Sequence, residues 1–173
     1  MSAPADSAPR IVRWGNPALR RRCRPAAAEA AELRGLADAM WRLLARHRGL
    51  GLAAPQVGDD RRLIVVQDKP RAAGARRLVL VDPVLHEPSR ELATFEEGCL
   101  SFPGLYFGLR RPEAVTVEHV DLEGRPHRFR AEGLLARIVQ HEVDHLDGVL
   151  YIDHLSPWRR RLLGWRLRRL RER

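Results

Sequence analysis

Apolar side chains recur at three- and four-residue steps across residues 27–47, at Leu33, Leu36, Met40 and Leu43, with His47 continuing the series and charges between. That period predicts an amphipathic helix with one buried stripe. Gly49 and Gly51 end it. The pattern then shortens. Residues 62–66 and 77–81 are compact and β-branched, as strands are, and Asp82-Pro83 closes the second. Residues 91–95 read as a third strand, and 70–74 as a loose loop. Residues 114–120 and 125–130 read as a hairpin turning through Asp121-Leu122-Glu123-Gly124. An apolar run over 133–140 opens a second helix, which Gly148 stops. Ser156-Pro157 has the character of a cap and first turn of a last helix. Strands flanked by helices, without regular alternation, predict an α+β fold.

The 173 residues suit a single domain (1–173) with a proper core. Residues 1–10 are expected to form a flexible arm, and 157–173 a basic helix or tail. No apolar run reaches membrane-spanning length. The N-terminus lacks the basic-then-apolar order of a secretory signal, so a cytoplasmic location is expected. The two cysteines, Cys23 and Cys99, are not expected to pair in a reducing compartment. Cys23 reads as structural or incidental, which frees Cys99 for chemistry. The formal charge of +9 is carried almost wholly by arginine, Lys69 being the one lysine. Residues 159–173 hold eight arginines against Glu172 alone. Such a tail suits a polyanionic partner such as RNA, or else a solvated face in an arginine-biased proteome.

The second helix carries the chemistry. In His141-Glu142-Val143-Asp144-His145 the two histidines stand four apart, one turn above each other on one helical face. Two imidazoles so placed can grip one ion, and Glu142 can hold and deprotonate a water on it. The plainer alternative is a solvated face with two ordinary histidines. A third protein ligand is required, with a position left open. Cys99 is the best remaining donor. Gly98, before it, lets backbone approach a substrate or the metal closely. In the small, apolar stretch 49–58, Gln56 is the lone amide. It either finds partners in a tight turn or offers its NH2 to a developing oxyanion.

Three motifs together resemble the peptide deformylase family: Gly49-Leu50-Gly51-Leu52-Ala53-Ala54-Pro55-Gln56, then Glu97-Gly98-Cys99-Leu100-Ser101, then residues 140–148 around the histidines. The resemblance runs over 15–155. It implies small antiparallel or mixed sheets packed around a central helix bearing the histidines, with one helix before and one after. It implies one divalent ion held by Cys99, His141 and His145: Fe(II) natively, with Zn(II) or Ni(II) able to replace it. Glu142 would be the general base. Gln56 and the backbone N–H of Leu100 would hold the oxyanion. The substrate, an N-formylmethionyl peptide, would lie along Leu50, Gly51 and Gly98, with its methionine against Leu50, Leu134 and Ile138. The chain is expected to act as a monomer, without membrane contact, and to dock a ribosome through its tail, Leu163, Leu167 and Leu170 facing inward. Arg137, one turn before His141, is expected to face solvent. A different enzyme, a zinc endopeptidase with His154 as third ligand, and a non-catalytic ribosome- or RNA-binding module are the rival readings.

Overall fold

A computed structural model describes residues 10–68 and 76–170. The expected loop at 70–74, and all of the expected arm except Arg10, lie outside those residues.

Helix α1 (Ala30–His47) buries Leu33, Ala37, Met40, Leu43 and Leu44. His47 is exposed, contrary to the spacing reading. At 3.6 residues per turn the stripe drifts, and Leu44 takes the inward position instead. The helix is followed by β1 (Gly51–Ala53), β2 (Leu63–Asp68) and β3 (Arg76–His86). A two-stranded unit, β4 (Leu92–Gly98) and β5 (Tyr106–Pro112), comes next, and then the hairpin β6 (Ala114–Val120) and β7 (Pro126–Glu132). Helix α2 (Gly133–Leu146) and two short helices, α3 (Pro157–Leu162) and α4 (Gly164–Leu170), complete the chain.

One sheet has the order β1-β2-β3-β6-β7, with every neighbouring pair antiparallel. The other holds only β4 and β5. Helix α2 packs on the larger sheet through β1, β2 and β7 and also touches β5. Ala136, Val139, Val143 and Leu146 meet Ile64, Val66, Val115 and Val117 in one core. Helix α1 covers the other face with Leu33, Met40 and Leu44 against Leu63, Val65 and Val81. The α+β arrangement around the histidine helix is the one expected.

The elements depart from the sequence reading at several points, among them β1, which that reading places in a small apolar turn. Asp82-Pro83 does not close β3. The strand passes through with a register shift between Val81 and Val84, Asp82 adopting φ 50°. An irregularity of this kind absorbs the missing proline N–H, and the Asp82 carboxylate accepts from the N–H of Ala26 at 2.9 Å. Strand β5 was not anticipated, because its partner lies eight or more residues back. The C-terminal segment is two helices, capped at the start by Ser156, whose hydroxyl accepts from the Arg159 N–H at 3.4 Å. Leu163 and Leu167 are buried there and Leu170 partly so, as expected. Both cysteines are free. Cys23 is buried in the core, and burial pushes its thiol up to about 11. Among the described residues no helix is long and apolar enough to cross a membrane.

Candidate metal centre

Helix α2 delivers its two histidines into the gap between the two sheets. Their rings are tilted at 73° with centroids 5.2 Å apart. Cys99 arrives from the other side, just past the end of β4. Its Sγ lies 3.3 Å from Nε2 of His145, and one donor atom from each of Cys99, His141 and His145 falls within 4.8 Å of the others. His154 takes no part. Its Nε2 binds the carboxylate of Asp144 at 2.7 Å near the surface. The group that could hold an ion is therefore Cys99 with His141 and His145, and His154 lies outside it.

The donor set fits a divalent ion of intermediate softness, one thiolate with two imidazoles. Nδ1 of His141 meets the Glu97 carboxylate at 2.9 Å, which leaves Nε2 for a ligand and fixes the ring. Burial drives His145 well below the usual imidazole range, so it stays neutral as a ligand must. Burial also opposes a charge on His141, but hydrogen bonds to Cys99 and Glu97 outweigh it and raise its pKa. Surroundings that attract a proton to this spot attract a metal cation by the same electrostatics.

Glu97 is held by more than the histidine. Arg111 donates Nε to Oε1 at 2.7 Å and Nη2 to Oε2 at 3.0 Å, and Arg137 donates Nη1 to Oε1 at 2.8 Å. Desolvation alone would raise the Glu97 pKa, but the bonds from His141 and Arg111 bring it down to about 2. Arg137 does not face solvent. It is 4% exposed, and it also donates to the backbone carbonyls of Ala93 and Leu109 and lies over the Phe95 ring. A charged residue four before His141 on an otherwise apolar helix face was the one available signal for this inward role. Glu97, quoted within a motif, had been given no task. Asp144 joins the same network by accepting from Nη1 of Arg111 at 2.6 Å.

Glu142 is 4% exposed, and among the described residues its Oε2 has no hydrogen-bond partner. Burial pushes its carboxyl up to about 7. Gly51 makes room for it: a Cβ on Gly51 would lie 2.6 Å from Oε1 of Glu142. Gln56 is aimed by its own turn. Its Oε1 accepts from the N–H of Ala53 at 2.8 Å, which points Nε2 at Cys99 Sγ and Ser101 Oγ, each at 3.3 Å. Gly98 is covered by the ring of Tyr106, where a Cβ would come within 2.4 Å. The closely approaching group at Gly98 is thus an aromatic side chain of the neighbouring strand. Leu50, Gly51, Gln56, Gly98, Leu100, Leu134 and Ile138 line one groove of about 1080 Å³ with Cys99, His141 and Glu142. His145, 1% exposed, is enclosed behind them.

A thiolate–imidazole centre beside a buried carboxylate, in a groove between two small antiparallel sheets, defines a metal-hydrolase class. Residues 8–161 match the family described as polypeptide deformylase. The chain is 42% identical to a peptide deformylase of Picosynechococcus over 142 residues, 82% of this chain and 76% of that protein. It is 49% identical to peptide deformylase 2 of Gloeobacter violaceus over 125 residues, 72% and 67% of the two chains. Among solved structures it superimposes on a Synechococcus elongatus peptide deformylase in complex with actinonin. The TM-score is 0.85 at 37% identity, covering 94% of this chain and 90% of that one. A Thermotoga maritima peptide deformylase gives 0.80 at 35%, covering 88% and 100%. The chain belongs to the polypeptide deformylase family.

Proposed function

We propose that this protein hydrolyses the formamide bond of N-formylmethionyl polypeptides, releasing formate and a free N-terminus. The observation that carries the reading is the convergence of Cys99, His141 and His145 beside the partnerless carboxylate oxygen of Glu142. Cys99, His141 and His145 would hold a divalent ion, Fe(II) natively, which would supply Lewis acidity for water activation and carbonyl polarisation. Glu142 takes a proton from the attacking water as the C–O bond forms. It returns that proton to the amine nitrogen as the C–N bond breaks. Its position near neutrality suits both transfers. Nε2 of Gln56, already turned towards Cys99, and the backbone N–H of Leu100 donate to the oxyanion.

The substrate backbone adds between two open edges. Among the described residues β1 pairs with β2 alone and β4 with β5 alone, so each offers an edge near Gly51 and Gly98. Main-chain pairing tolerates many sequences, as a general processing enzyme requires. Leu50, Ile138 and the exposed Leu134 form the apolar wall for methionine. The enzyme acts as a cytoplasmic monomer. Its tail docks a ribosome through the exposed arginines of α3 and α4 while Leu163 and Leu167 hold the helices to the body. Deleting residues 158–173 is expected to reduce ribosome co-sedimentation in a salt-dependent way and to spare hydrolysis of short peptides.

The test of the activity is anaerobic purification, metal analysis and formate release from formyl-Met-Ala-Ser. Activity that tracks bound iron supports the reading. Cys99→Ala is expected to lose ion and activity together, and a Cys99→Ala protein that still releases formate would refute it.

A further inference from the structure

We infer that the mouth of the groove is an anion subsite, which favours substrates carrying aspartate or glutamate just beyond the formylmethionine. The inference rests on the deformylase reading and names a substrate class within it.

Arginines from three separate segments line the groove: Arg13 ahead of α1, Arg46 and Arg48 at the end of α1, and Arg169 in α4. All four are exposed. Among the described residues none of the four has a carboxylate within 4.0 Å, although Arg169 lies over the Trp165 ring, whereas Arg20, Arg24, Arg34, Arg61, Arg62 and Arg125 each pair with an Asp or Glu. Against these cations the groove offers Glu96 as its exposed acid. Glu97 is consumed by Arg111, Arg137 and His141, and Glu142 is buried. Arg46 also stands in the last turn of α1, where free carbonyls favour a cation. Helix stabilisation of that kind does not account for Arg13, which lies in an irregular segment.

A concave site walled by one sign of charge focuses its field into the opening. An extended chain advances about 3.3 Å per residue with alternating side chains. With methionine against Leu50 and Ile138, the two residues that follow it emerge at the mouth, within the sweep of flexible arginine side chains. A carboxylate there gains charge-assisted hydrogen bonds, and an ammonium group is repelled. Solvent-exposed pairs of this type are modest singly, so several together give a preference of about three- to ten-fold.

The experiment compares kcat/KM for C-terminally amidated peptides, so that no terminal carboxylate confuses the charge: formyl-Met-Ala-Ser, formyl-Met-Ala-Glu, formyl-Met-Glu-Ser and formyl-Met-Ala-Lys. Either glutamate peptide is expected to exceed the serine peptide by at least about three-fold, with lysine below it, and the spread is expected to close at high salt. The Arg13→Glu/Arg46→Glu double variant should invert the glutamate-to-lysine ratio. The Arg21→Glu/Arg90→Glu pair, equal in charge and outside the groove lining, should preserve it. Equal rates across the series, a lysine preference, or a ratio that both double variants change alike would overturn the inference while leaving the deformylase reading intact. Hydrolysis of none of the peptides would remove both.

Discussion

Gly51→Ala adds one methyl group at the narrowest point of the site and removes no functional atom. Gly51 lies outside the left-handed region of backbone space, so alanine meets no conformational penalty there. The obstacle is local. The new Cβ would stand 2.6 Å from Oε1 of Glu142, 2.6 Å from Cγ2 of Ile138 and 2.9 Å from Cγ of Glu142. Ordinary contact begins near 3.4 Å. Something must therefore move by roughly 0.8 Å, a displacement that packed interiors absorb only at a cost. Helix α2 cannot easily yield as a body. It is tied to β4 through the Glu97–His141 and Glu97–Arg137 bonds and packed by Val139 and Val143 into the core. The Glu142 side chain, with Oε2 unpartnered, is the freer element.

A base displaced by nearly an ångström no longer meets the proton it must take, and misplacement on that scale costs about 100-fold in rate. The expected result for Gly51→Ala is a fall of about 100-fold in kcat, with KM changed far less. Overpacking of the core should cost about 1–3 kcal/mol in stability. Formate release under saturating and limiting substrate separates kcat from KM. Metal analysis and a urea melt report the rest. A variant with full ion content and activity within about three-fold of the parent would refute the placement of Glu142 as the proton carrier. Loss of the ion would show instead that α2 gave way.

Glu142→Gln is expected to keep the ion and lose about 100- to 10,000-fold in kcat/KM. Because burial raises this carboxyl to about 7, the parent enzyme should lose activity on the acid side of neutrality as Glu142 takes up a proton, and the residual activity of the variant should lack that limb. Glu97 behaves oppositely: its folded value near 2 lies below the ordinary 4.5, so its stabilisation is complete above 4.5 and lost as the pH falls through 2. Urea melts of ion-free protein at about pH 6 and about pH 3 should differ by some 2 kcal/mol from this group, a difference that Glu97→Gln removes. Arg137→Met strips one partner from a buried pair and removes the donor that the Ala93 and Leu109 carbonyls share, which should cost about 3 kcal/mol and lower Tm by about 6–12 °C; a melt unchanged from the parent would contradict the buried clamp.

Local periodicity carried the histidine pair, strands β2 and β3 and the β6–β7 hairpin, because each is written in residues close along the chain. His141 and His145 share a helical face whatever surrounds them. Strand β5 was not legible for the opposite reason. Tyr106 to Gly108 gain their meaning from β4, where Tyr106 faces Gly98 and covers it. The Asp82-Pro83 pair reads locally as a stop, yet its register shift and the bond to Ala26 let the strand continue. Gln56 was visible as a lone amide, but the bond from Ala53 that aims it was not.

Arg137 marks the limit of local reading most clearly. A guanidinium on a helix is expected outside, since an unpaired charge within costs several kcal/mol. It goes inside here because Glu97, forty residues earlier, supplies the countercharge, and Glu97 in turn is committed to His141. One carboxylate thus serves two tasks: it orients the His141 imidazole on α2 and anchors the strand that leads to Cys99. The consequence is that the two halves of the donor set share a single hinge of charge. A substitution that frees Glu97 from its arginines should loosen Cys99 and His141 together, so ion affinity and fold stability ought to fall in step across Arg111 and Arg137 variants. Variants of Gln56, which touches Cys99 but no part of that network, should lose rate while ion affinity holds, stability falling only by the lost Ala53 bond, about 1 kcal/mol.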